Sequence, residues 1–87
     1  DKQLVLKGNK LFNQKRYKDS IEIYNKALEY NGNNIDAIYM IGRVFYELGN
    51  FAEAEAQFGK TIKLDNKIIK FHVWLGWALF KQNKYQE

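Results

Sequence analysis

The sequence predicts an all-α fold built from stacked helical hairpins, and three observations carry that expectation. Between Ile38 and Asp65, apolar and small residues recur at three- and four-residue steps, stop at Gly49-Asn50, and resume at Phe51. That is the spacing of two amphipathic helices joined by a tight turn. Gly8, Gly42 and Gly76 stand at equal intervals of 34 residues, and so do Leu11, Phe45 and Leu79, and Phe12, Tyr46 and Phe80. Small residues also sit inside the helical stripes, Gly42 on one helix and Ala54 on the next, where they let two backbones approach closely. A glycine in mid-helix is about 1 kcal/mol less favourable than alanine, so close packing is the reason to keep it. One matching glycine would carry little; agreement over most of a long unit marks an internal repeat.

The 87 residues are 46% hydrophobic and 16% aromatic, with neither Pro nor Cys. Such a chain is short for one large core but adequate where each hairpin covers the next. Lack of Cys removes disulfides, thiolate zinc sites and cysteine catalysis, and it fits a reducing compartment; the expected location is cytoplasmic. Net charge is +4, from 14 Lys and Arg against 10 Asp and Glu, with a local cluster at Lys7, Lys10, Lys15, Arg16 and Lys18. Charge runs on amphipathic helices usually face water, so the cluster reads as a solvated face rather than a patch for nucleic acid or acidic lipid. The longest apolar run, Phe71 to Phe80, is broken by His72 and falls far short of the ~20 residues of a membrane-spanning helix.

Taken in order, the first helix is expected over 2–13, with Leu4, Gly8 and Leu11 facing inward and Gln14-Lys15-Arg16 as the turn. Lys7 stands where later units carry Ile41 and Leu75, which suits the polar outer face of a stack's first unit. The second helix, 18–30, buries Ile21, Tyr24, Ala27 and Leu28. It stops at Asn31-Gly32-Asn33-Asn34, residues that tolerate left-handed backbone and cap the next helix. The third is expected over 35–48, the fourth over 52–64 and the fifth over 68–81, with Tyr85-Gln86-Glu87 starting a sixth. The units are therefore 1–34, 35–68 and 69–87. In the third, Leu75, Gly76 and Leu79 match the face that a second helix covers in the other two, and Trp74, Trp77 and Phe80 share that helix. Burying one such side chain is worth about 1.5–3 kcal/mol, so a cover is expected from further repeats, a partner or a second copy. Trp74, Leu75, Leu79 and Phe80 are the candidates for self-association.

The glycine ladder, the Ala54-x-x-x-Phe58 pair and the turn aromatics Tyr17, Phe51 and Tyr85 resemble the tetratricopeptide repeat over essentially the whole chain. Leu4, Ile38 and His72 replace that pattern's leading Trp, and Gly32 and Asn66 its closing Pro. The resemblance implies a right-handed superhelix of helix pairs whose first helices line a concave groove. It also implies a non-catalytic scaffold, without cofactor, that binds an extended peptide or a partner helix. On that groove it places Asn9, Tyr39, Arg43, Glu47, Lys70, Trp77 and Lys81, beside Lys2, Val5 and Asp36. Tyr39, Arg43 and Trp77 are the expected ligand contacts, Arg43 for a carboxylate, while Phe12, Tyr46 and Phe80 should pack between units. Some members of the family clamp the C-terminal carboxylate of heat-shock chaperones with two Lys, two Asn and an Arg. The corresponding residues here are Val5, Asn9, Met40, Lys70 and Trp74. Only Asn9 and Lys70 match, so most of the charge-assisted hydrogen bonds go unmade and chaperone-tail binding of that kind is not expected.

An enzyme is not expected either. His72, the single histidine, should belong to the packing, because the residues three and four away are Ile68, Ile69, Leu75 and Gly76 and supply no second metal ligand. Glu22, Glu29, Glu53 and Glu55 fall on expected outer faces, and neither a phosphate-binding glycine loop nor a nucleophile elbow is present. Two alternatives to peptide binding stay open. One is oligomerisation through the fifth helix. The other, a minor one, is single-stranded nucleic-acid binding, for which aromatics and Lys are available but Asp36 and Glu47 share the groove.

Overall fold

A computed structural model describes residues 2–83. Within them the chain forms five helices: α1 (Lys2–Asn13), α2 (Tyr17–Tyr30), α3 (Ile35–Glu47), α4 (Phe51–Leu64) and α5 (Ile69–Lys81). Each end falls within one residue of expectation, and no strand occurs among the described residues. The closest backbone approaches join helices that are neighbours in the chain, with a smaller one between α1 and α3. Apolar side chains gather in two clusters, one around Val5, Tyr24, Ala27, Ile41 and Val44 and one around Tyr39, Ala54, Phe58, Phe71 and Ala78. Met40 and Phe45 touch both, which makes the two cores one continuous stack.

The glycines explain how closely the hairpins pack. A Cβ on Gly8 would lie 2.4 Å from Cε1 of Tyr24, and one on Gly42 would lie 2.7 Å from Cε1 of Phe58. Both rings are fully buried, each resting on the bare backbone of the preceding helix. Around Gly76 nothing among the described residues comes within 4 Å. Among the described residues, the third unit repeats the seat and no ring fills it.

The turns repeat as well. Lys15, Gly49 and Asn83, each 34 residues from the next, have positive φ of 63°, 82° and 61°. They close α1, α3 and α5 in left-handed conformations, and Arg16 N and Asn50 N donate back to the carbonyls of Leu11 and Phe45 at 2.9 and 2.8 Å. The sequence places left-handed backbone at 31–34 instead, and the structure corrects this. There Asn31 is extended, its side chain accepts from Asn33 N at 3.0 Å, and Asn34 caps α3 by accepting from Ala37 N at 3.2 Å.

Some expected burial shifts by a residue. Val5 is more buried than Leu4 or Leu11, and Ile23 is buried while Ile21 and Leu28 are half-buried. His72 does not pack: it is exposed, with Nε2 2.9 Å from the Asn66 carbonyl oxygen, because no helix among the described residues lies against that side of α5. Glu55 is half-buried rather than outward, and it accepts from Gln82 Nε2 at 3.0 Å. The same Gln82 amide donates towards the Phe51 and Ala78 carbonyls, tying the end of α5 to the start of α4. Tyr85 and the expected sixth helix lie outside the described residues.

Candidate peptide-binding groove

The first helix of each unit contributes one wall of an open cleft of about 430 Å³. Lys2, Val5, Leu6 and Asn9 come from α1, Asp36, Tyr39 and Met40 from α3 with Asn34 at its cap, and Lys70 from α5. Lys2, Asp36 and Lys70 stand at one position of the 34-residue unit, so the stack brings them to one side. Of the expected groove residues, Asn9, Tyr39 and Lys70 therefore meet in one cleft. Arg43, half-buried, and Glu47, Trp77 and Lys81, exposed, do not line it. Leu6 and Asn34 join the lining without having been expected. Only the repeat register, extended one residue beyond the inner stripe, could have signalled Leu6.

Tyr39 proves to be a wall rather than a free contact. It is only 8% exposed, its ring 5.4 Å from Phe71 and 6.1 Å from Phe58. Its face towards the groove carries the Lys70 ammonium, 4.7 Å from the ring centroid. Arg43 spans the units: its guanidinium carbon lies 4.2 Å from the Trp74 ring centre and 5.2 Å from that of Phe12. Nη1 donates to the Tyr39 hydroxyl at 3.4 Å. Trp74 is consequently half-buried, edge-on to Tyr46 at 5.1 Å and beside Phe58 at 6.1 Å. It is not part of the uncovered face, a correction to its place among the self-association candidates. Leu75 and Leu79 are half-buried too, and Leu75 packs on the second cluster. What α5 does present is Ile69, Val73, Trp77 and Phe80. Tyr46 packs between units as expected, against Trp74 as well as Phe51 of its own unit, while Phe12 meets Tyr17 of its own unit and, from the next, the Arg43 guanidinium; Phe80 is 46% exposed.

Below the cleft, the Tyr24 hydroxyl donates to Asn9 Oδ1. Burial pushes this phenol well above its ordinary range, against a smaller opposing pull from the Arg43 charge. It therefore stays a donor, and Asn9 keeps its amide nitrogen for the cleft. Among the described residues no cluster of His, Cys, Asp and Glu could hold a metal ion, and no helix is long and apolar enough to cross a membrane.

A stack of helical hairpins whose first helices share an open groove defines a helical-repeat protein-interaction module. The chain matches the family described as anaphase-promoting complex, cyclosome, subunit 3 over residues 3–87. It belongs to that family of tetratricopeptide repeats. Small glutamine-rich tetratricopeptide repeat-containing protein 2 of Mycosarcoma maydis is 37% identical over 87 residues, covering 98% of this chain and 24% of its own length. Sperm-associated antigen 1 of Rattus norvegicus is 39% identical over 64 residues, 72% of this chain and 7% of its own. The chain thus spans a quarter or less of these relatives. Among solved structures, the first tetratricopeptide domain of Spaghetti (RPAP3), bound to the HSP90 peptide SRMEEVD, is similar with a TM-score of 0.89 and 28% identity. That likeness covers 95% of this chain and 68% of the other.

Proposed function

We propose that the chain is a non-catalytic binding module that takes an extended peptide along the groove of α1, α3 and α5. The observation that supports it is the cleft itself: apolar walls from Val5, Leu6, Tyr39 and Met40, with Lys2, Asn9 and Lys70 as directional polar groups. The similar Spaghetti domain holds an acidic HSP90 peptide. In this groove Val5, Met40 and Trp74 replace three donors of a carboxylate clamp, which favours a peptide gripped through its side chains rather than its terminus. A nitrogen–proton NMR titration with SRMEEVD and with its C-terminally amidated form tests this. Shifts along α1, α3 and α5, of similar affinity for both peptides, are expected. Absent shifts, or shifts confined to α2 and α4, would refute the groove.

The open seat at Gly76 favours a second reading, self-association through α5. Ile69 is 77% and Trp77 50% exposed on that helix, and burying either would be favourable by an amount on the order of 1.5–3 kcal/mol. Light scattering over a concentration series should then show a dimer that Trp77→Ala returns to monomer. A strict monomer at every concentration removes this reading.

A further inference from the structure

Arg43 stands apart from the other cations. It comes from α3 yet sits between aromatic rings of α1 and α5, Phe12 and Trp74, with its guanidinium plane braced most closely by the indole. Its Nε is sealed from water and has no hydrogen-bond partner among the described residues, and the bond from Nη1 to the Tyr39 hydroxyl is long at 3.4 Å. No carboxylate among the described residues pairs with it; the ion pair there is Arg16 with Asp19. The Nε of this half-buried guanidinium has given up hydration without gaining an acceptor, which is unfavourable for the isolated fold. Local rules broken without an internal gain concentrate where a ligand completes the site.

Its neighbours offer the same chemistry. The Lys70 ammonium lies over the Tyr39 ring whose hydroxyl meets Arg43, so two cations flank one tyrosine. Asn9 Oδ1 is occupied by Tyr24, leaving the amide nitrogen as the group it presents. Arg43, Lys70 and this amide are donors only, and what they jointly accommodate is an anion.

We propose that Arg43, braced by Trp74 and adjoining the cleft through the Tyr39 hydroxyl, is its anion-recognition point and takes an acidic side chain of the bound peptide. The proposal rests on the groove reading above. The planar guanidinium matches a carboxylate in two parallel hydrogen bonds, and a stacked plane has little rotamer freedom left to lose on binding. Val5, Met40 and Trp74 offer no charged donor to a chain terminus, so the side chain is the source. Asp36, on the same cleft wall, disfavours a second acidic residue at its own end.

The test is calorimetry with three forms of SRMEEVD on the wild type, Arg43→Met and Arg43→Lys, with NMR of the Arg43 side-chain N–H. One peptide has both termini blocked. The second is blocked and has Gln and Asn for its acids, and the third has those replacements but a free C-terminus. The first should bind and shift the Arg43 resonance. The other two should bind roughly ten- to a hundredfold more weakly. Arg43→Met should show that same loss for the first peptide while melting no lower than the wild type, because an unpaired cation is gone. If Arg43→Met does not fold, Arg43→Lys carries the comparison, with a severalfold loss expected from its single-point charge. Undiminished affinity in the folded variant overturns the proposal. So does a drop in melting temperature with affinity intact, which would make Arg43 a brace. Equal binding of the third peptide points to a terminal carboxylate, and tighter binding of a single-stranded oligodeoxynucleotide points to phosphate; either overturns it too. Backbone shifts in α1, α3 and α5 with a silent Arg43 side chain sink this proposal alone. No backbone shift with any peptide sinks the groove reading and the proposal together.

Discussion

The same substitution at two glycines of one register should have opposite effects. At Gly42, an added Cβ would lie 2.7 and 2.9 Å from Cε1 and Cδ1 of Phe58 and 3.2 Å from Cβ of Gln57. Phe58 cannot retreat, since it is fully buried with Tyr39 and Trp74 each 6.1 Å away, centre to centre. Alanine gains about 1 kcal/mol of helix propensity there. Overpacking a tight core costs about 1–3 kcal/mol. Gly42→Ala should therefore be neutral at best and up to about 2 kcal/mol destabilising. At Gly76 nothing among the described residues opposes the new methyl, so only the gain of about 1 kcal/mol remains. In a domain of this size each kcal/mol moves the melting temperature by about 4–8 °C, so the two variants should separate clearly. Thermal and urea unfolding followed by far-ultraviolet circular dichroism, at low protein concentration, reads the difference. Equal shifts for the two variants, or a stabilised Gly42→Ala, would refute the packing argument.

Three further outcomes come from the geometry. Lys15→Gly should stabilise by about 1 kcal/mol, since φ of 63° penalises a side chain there, with a smaller gain at Asn83 because Asn tolerates that region; urea midpoints check both. Gln82→Ala should loosen the end of α5 by about 1 kcal/mol, seen as faster amide exchange in its last turn than elsewhere. For Tyr24 the folded-state pKa lies above the unfolded value, so its contribution is present below pH about 10 and is lost as pH rises beyond that point. Tyr24→Phe should remove that part of the alkaline loss while giving up the bond to Asn9. A stability–pH curve with the wild-type slope above pH about 10 would contradict the assignment.

Helix positions were legible in the sequence because glycine spacing and apolar periodicity are both local signals. The left-handed turn at Lys15 was not, since lysine carries no preference for it; the register to Gly49, not the residue, announces that backbone. His72 shares its register with Ile38, yet burial at that register depends on a helix lying opposite, which α5 lacks among the described residues. The groove set was only half legible. Which residues share a wall follows from the repeat, so Asn9, Tyr39 and Lys70 came together. Depth does not follow: Tyr39 is sunk between Phe58 and Phe71, and Trp74 under Arg43, because stacked units offset one first helix from the next.

A protein assembled from near-copies must tell its own parts apart while it folds. The ring of Tyr24 and the ring of Phe58 fit the same kind of seat, so α2 could settle on the helix meant for α4. Position nine of the three units reads Asn9, Arg43 and Trp77. Only the first supplies an acceptor oxygen for the Tyr24 O–H; the guanidinium and the indole are donors only and would leave that proton without an acceptor. One polar pair thus acts as a key cut for a single lock, disfavouring swapped hairpins through a mismatch that apolar surfaces alone would not register.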